Sequence, residues 1–323
     1  MNDSGKDFYD TIWDSNNSNT ESKDVVSNDL EKEDRDKDEE IEKDNNKIYS
    51  CNYCKTSFYS SNDVISCPYC QKKDYTDISM SMENDYFYIS FNNNMDEAIN
   101  CYKKSIKFLL FIPFFFKKKS VYNNMKKVYI PLELYNSKVS GEVSFFGADE
   151  NSINKQKETR KYECRYEVNV DYDNVYISKY SKINEDGYNV FNYNYALISP
   201  YEEGIIKDEY IIYPDLKSEE INNKLNNKLI KNSLNMSRSN INHQLKKLKE
   251  NKLILKNKDK FNVLVPVYLL NLEYKNKKCL FIMNGQNGEY YFNSDKSLFN
   301  ILFFAISLFL VIFLIAFLFA YFL

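Results

Sequence analysis

Cys51-Asn52-Tyr53-Cys54 and Cys67-Pro68-Tyr69-Cys70 stand twelve residues apart, and their reading decides how the chain is organised. Two CxxC pairs at this spacing are those of a zinc ribbon, in which two short knuckles each give two thiolates to one tetrahedral Zn²⁺. The CxxC turn aims backbone N–H groups at the sulfurs and lets both reach the same ion. All four expected ligands, Cys51, Cys54, Cys67 and Cys70, are cysteines. No position is left open for water or substrate, so the expected zinc is structural and not catalytic. Knuckles of this kind commonly carry glycine after the second cysteine; Lys55 and Gln71 occupy those positions here.

The composition around the ribbon is uneven. The 323-residue chain has a net charge of −3, but residues 1–50 hold 16 Asp/Glu against 7 Lys/Arg, which leaves the remainder at +6. Residues 1–47 have too few apolar side chains to offset the entropy of ordering, and read as a disordered acidic tail. Cys101, Cys164 and Cys279 bring the cysteines to an odd seven, unlike a secreted disulfide framework. No apolar signal segment opens the chain, and a reducing compartment is expected. The three scattered cysteines read as small core residues.

After the ribbon (48–75), residues 76–295 read as one α+β domain. Tyr86 to Phe91 has a strand pattern. A helix follows from Met95, with Asp96 and Glu97 complementing its dipole and Ala98, Tyr102, Ile106 and Leu109 at helical spacing. The apolar run Phe108 to Phe116 is broken by Pro113 and is too short to span a bilayer. Packing into the core is the expectation, with an interfacial role, given the flanking lysines, as the alternative. Strands are expected over Val128–Tyr135, Gly141–Phe146 and Tyr162–Tyr180. Ile221, Leu225 and Leu229 mark a helix face, with a break at Ser237-Arg238-Ser239. Val263-Leu264-Val265-Pro266 repeats the pattern of Val128-Tyr129-Ile130-Pro131, which suggests two similar β-units. A hairpin over Leu272–Phe292 closes the domain, with turns at Asn276-Lys277 and Asn284–Gly288.

Leu298 to Leu323 contains no charged residue across 26 positions. As a helix it would be about 39 Å long, enough to cross a bilayer with some tilt. A transmembrane tail anchor in the lipid bilayer is expected over 298–323. Residues 217–278 carry 15 Lys/Arg against 5 Asp/Glu, which places the N-terminal part in the cytoplasm and the C-terminus outside.

Three readings compete for the basic segment. Ser237 to Ile254 resembles the recognition helix and wing entry of a winged-helix regulator, with the basic helix at 239–250 and Asn251-Lys252 in place of the usual glycine. An amphipathic helix with a solvated lysine face, and attraction to anionic lipid headgroups, are the alternatives. A nucleic-acid binder would depend on Lys246, Lys247 and Lys249 and lose affinity steeply with salt. No catalytic residues are assigned. His243 is the one histidine and has no apparent partner, and the chain has neither a phosphate-binding glycine loop nor HExxH.

From Ile48 to about Ser294 the chain resembles bacterial membrane proteins described as transcription-factor-IIB-type zinc-ribbon-containing proteins. The residues that carry the likeness are Cys67-Pro68-Tyr69-Cys70, Tyr88-Ile89-Ser90-Phe91 leading into Asp96-Glu97-Ala98, Val128-Tyr129-Ile130-Pro131, Leu264 to Leu270, and Met283-Asn284-Gly285-Gln286-Asn287-Gly288. The resemblance implies a zinc ribbon, an α+β body and a membrane anchor, and no reaction. Family members often have two ribbons where this chain has one, and an Ile-Pro-Phe of the family reads Ile89-Ser90-Phe91 here. The expectation is therefore a membrane-anchored binding or scaffolding protein with an unidentified protein partner, with nucleic-acid binding as the minority alternative.

Overall fold

A computed structural model describes residues 48–60, 66–78, 85–153, 156–183, 190–242 and 245–322. The acidic tail 1–47, the loop expected at 184–187 and His243 lie outside the described residues. Asn46–Tyr193 with Ile198–Leu323 form one compact unit, which holds everything considered below.

Twelve strands join in one sheet. Three short ones belong to the ribbon: β1 (Ile48–Cys51), β2 (Ser57–Tyr59) and β3 (Tyr75–Ile78), with β1 antiparallel to both others. β4 (Tyr86–Tyr88) leads to helix α1 (Met95–Lys107), which opens on a capping box: Asn94 Oδ1 accepts from Glu97 N, and Glu97 accepts from Asn94 N. A 3₁₀ turn (Phe114–Lys117) and the one-turn α2 (Lys119–Tyr122) follow. Next come β5 (Lys126–Ile153), β6 (Gln156–Ser178), β7 (Ser199–Pro200) and β8 (Tyr210–Ile212). Helix α3 (Ser218–Ser239) precedes β9 (Leu245–Asn251), β10 (Ile254–Tyr274), β11 (Lys277–Asn284) and β12 (Tyr290–Ser294). Helix α4 (Leu298–Phe322) is last. The content is mixed but mostly sheet, so the expected α+β balance shifts towards β.

β5 and β10 form the spine. They pair antiparallel from Lys126↔Leu269 past Val128↔Val267 and Ile130↔Val265 to Ser140↔Ile254. The two Val-x-β-branched-Pro segments are thus direct partners, not separate units. Their prolines stand where each strand changes neighbours. β5 pairs with β8 at Val128 and Tyr129 and with β6 from Leu132 onwards; Pro131 lies between. β10 pairs with β4 up to Leu264 and with β11 from Val267; Pro266 lies between. The carbonyl of Pro131 accepts from Lys179 N and that of Pro266 from Gly285 N, so the missing N–H groups face these handover gaps.

β5 runs unbroken through Gly141, where two strands were expected. Its φ of +136° is open to glycine alone in practice, and a Cβ there would collide with the Lys252 carbonyl. Two of the apolar cores along the spine pack a helix on it. Ala98, Tyr102 and Ile106 of α1 pack on Tyr268, Leu270, Phe281 and Met283. Ile221, Leu225 and Leu229 of α3 pack on Tyr135, Val139, Val143 and Phe145. Between β5 and β10 lies a buried polar knot. Glu133 takes ion pairs from Lys260 (2.9 Å) and Lys179 (3.6 Å) and a hydrogen bond from Tyr135, and Lys179 also donates to Asn262. A carboxylate this buried persists only with such partners.

One expectation is corrected. Among the described residues of 239–250 the expected helix is absent: α3 ends at Ser239, and 245–251 form β9, antiparallel to β5 with Phe145 opposite Leu248. Leu-Lys-Lys-Leu fits either periodicity when so short, and pairing with the long β5 decides it.

Candidate metal centre

The two knuckles have the same backbone geometry. Cys51 O accepts from Lys55 N and Cys51 N donates to Thr56 O; Cys67 O accepts from Gln71 N and Cys67 N donates to Lys72 O. The four distances fall between 2.8 and 2.9 Å. Lys55 and Gln71 have φ of 59° and 63°. They adopt the left-handed conformation that glycine usually supplies, at a cost of about 1–2 kcal/mol each. The ribbon is tied into the sheet, because β2 pairs with β8 and β8 with β5.

Folding this way brings the four expected ligands together. Cys51 Sγ lies 3.5 Å from Cys70 Sγ, and Cys54 Sγ lies 3.6 Å from Cys67 Sγ. All four sulfurs fall within 4.8 Å of one another, the one such group of His, Cys, Asp or Glu among the described residues. Four sulfurs about 2.3 Å from a tetrahedral ion would stand about 3.8 Å apart. The cluster fits a metal ion. Cys51 and Cys67 are fully buried, while Cys54 and Cys70 are partly exposed.

Protons distribute unevenly over these sulfurs. Hydrogen bonds from Cys67 and then Cys70 draw the Cys54 thiol far down, and the bond to Cys54 drives Cys67 far up. Cys70 is pushed up to about 12, chiefly by its bond with Cys54. Thiolates this close together repel one another, and a bound cation relieves that repulsion.

A second layer of residues supports the first knuckle. Lys182 Nζ donates to the Cys54 carbonyl and, at 2.7 Å, to Thr56 Oγ1. Thr56 Oγ1 is 2.8 Å from Tyr180 Oη, and Cys54 Sγ is 3.2 Å from Thr56 Oγ1. Burial pushes the Tyr180 phenol far up and keeps it neutral. The Lys182 ammonium also lies over the rings of Tyr69 and Tyr180. Lys182 thus fixes the backbone of the first knuckle through the Cys54 carbonyl and Thr56. Lys182 is 128 residues from Cys54, and nothing in the sequence around it signals this role.

The remaining candidates lie elsewhere. Cys279 is buried, 3.8 Å from Tyr102 Oη, and Cys101 and Cys164 are half-buried. Two of the three lysines of β9, Lys246 and Lys249, are engaged within the fold, and Lys247 is exposed. Lys249 pairs with Glu163 at 2.8 Å, and Lys246 and Arg238 each donate to the other's carbonyl. At the other end of the chain, Leu298–Ala320 is long and apolar enough to cross a membrane. Compared with known protein families, curated proteins and solved structures, the chain matches none.

Proposed function

We propose that this is a membrane-anchored zinc-ribbon protein that acts as a binding or scaffolding module at the cytoplasmic face. The observation that carries this reading is the closed set of four cysteine sulfurs on two matched knuckles. Such a set leaves no coordination position for a substrate and gives rigidity. Zinc is the ion that four sulfur ligands in a tetrahedral arrangement favour. In bound form it would be held by Cys51, Cys54, Cys67 and Cys70, and it would supply a fixed crosslink between the knuckles. Tyr53, 63% exposed on the first knuckle, then offers a partner a fixed aromatic contact.

The apolar α4 supports the membrane anchor, and the lysine excess on its N-terminal side supports a cytoplasmic body. The residues that resemble transcription-factor-IIB-type zinc-ribbon membrane proteins point the same way. Nucleic-acid binding loses its main support with the recognition helix.

Crosslinking and pull-down from native membranes tests the proposal, with wild type beside Cys67→Ser. A protein partner recovered with wild type and lost with the variant is the expected result. Recovery of no protein partner by either form contradicts the scaffolding role.

A further inference from the structure

The loop between α1 and the 3₁₀ turn has an unusual surface. Phe108, Leu110 and Phe114 are 81%, 59% and 65% exposed, and Leu109 is exposed beside them. Only Ile112 of this stretch is buried, together with Phe116 beyond it. The expectation of core packing therefore holds for the back of the loop and fails for its tip. So many large apolar groups on one loop signal a surface that meets something other than water.

The fold indicates what that is, because the loop is fastened to the foot of α4. Ser297 N donates to the Phe111 carbonyl at 2.7 Å. Asn300 Nδ2 donates to the carbonyls of Ile112 (2.7 Å) and Leu110 (3.3 Å). The Phe111 and Phe304 rings meet edge to face. Asn300 is one of two markedly polar residues of the apolar stretch, and its side chain is buried against the loop. Its amide is thereby satisfied at the depth where an unpaired one is costly. The helix rises about 1.5 Å per residue, so the loop sits level with the first turn of α4.

Charge follows the same plan. Residues 98–132 contain eight lysines and no Asp or Glu. Lys103, Lys104 and Lys107 precede the apolar tip and Lys117, Lys118 and Lys119 follow it. Lys107 Nζ lies over the Phe108 ring. An apolar tip within a lysine collar matches an interface of acyl chains beneath anionic headgroups.

We propose that the 108–114 loop inserts into the interfacial layer of the same bilayer that α4 enters, as a second anchor that fixes the tilt of the sheet domain on the membrane. This rests on the reading of α4 as a membrane span, and the test separates the two. Trp13 is the one tryptophan of the chain. In a Trp13→Phe background, Phe108→Trp reports on the loop and Leu310→Trp on the middle of α4. The full chain is reconstituted into vesicles of phosphatidylcholine with phosphatidylglycerol, brominated either near the headgroup or deep in the acyl chains.

The expected result is about a twofold or greater loss of position-108 emission with the shallow bromines, and quenching of position 310 with the deep ones. Position 108 unquenched with position 310 quenched overturns the proposal and leaves the span intact. Position 108 emission that is shielded from water, unquenched, and dependent on protein-to-lipid ratio also overturns it, in favour of a second copy on the loop. Failure of quenching at position 310 overturns the span reading and this proposal with it.

Discussion

The ribbon and the foot of α4 both hold a short segment in place by a few polar contacts, but they draw on opposite ranges of the chain. In the ribbon, four sulfurs within 20 residues converge on one point, and each knuckle closes by its own backbone hydrogen bonds. At the foot of α4, Asn300 reaches carbonyls 188 and 190 residues earlier. The ribbon site is local and chemically explicit, whereas the loop contact is remote and depends on every strand between. Metal binding should therefore stabilise the ribbon alone, and loss of the loop contact should leave the ribbon unaffected.

Cys67→Ser is the strongest way to break this contrast. Four-cysteine coordination supplies folding free energy directly, about 10–16 kcal/mol in zinc-finger peptides, and removing one thiolate forfeits several kcal/mol of it. In hydrogen exchange, β1, β2 and β3 should lose protection while β5, β10 and α1 keep theirs. Global unfolding would show that the ribbon supports the whole sheet through β8.

Lys182→Met tests a distant side-chain support of the first knuckle. It removes the donor to Cys54 O and Thr56 Oγ1. Metal affinity measured by chelator competition should fall about 10- to 100-fold, with the fold unchanged. An unchanged affinity would mean that Lys182 plays no part in holding the metal.

Asn300→Leu breaks the remote contact. It leaves the Ile112 and Leu110 carbonyls without their donor, at a cost of about 1–3 kcal/mol. Exchange at 108–114 should rise and metal affinity should stay constant. A fall in metal affinity would mean that the two regions are coupled.

Lys55→Gly has the smallest effect and the opposite sign. It relieves a left-handed φ of 59° and should stabilise the metal-bound ribbon by about 0.5–1 kcal/mol in thermal unfolding, after the entropy glycine adds to the unfolded chain. Destabilisation would mean that the Lys55 side chain contributes more than its backbone costs.

The same contrast explains what could be read in advance. Ligand identity and spacing made the ribbon legible, and the periodicity of Ala98, Tyr102 and Ile106 or of Ile221, Leu225 and Leu229 made two helices legible. The repeated Val-x-β-branched-Pro segments were visible, but not that they pair, because register is set by partners over 130 residues apart. Gly141 looked like the start of a separate strand and is instead where one long strand passes close to Lys252. Leu245 to Asn251 looked helical because lysines and leucines suit both periods, and tertiary pairing overrode local preference. Lys182 and Asn300 gave no local signal, since each acts on a partner far away in sequence.

X-ray absorption at the zinc edge of the full-length protein, purified in detergent with its bound metal, tests the central claim most directly. One zinc per chain with four sulfur neighbours at about 2.3 Å is predicted, and none in Cys67→Ser. A folded protein that binds no zinc, or binds it through nitrogen or oxygen neighbours, would contradict the four-cysteine site and the function built on it.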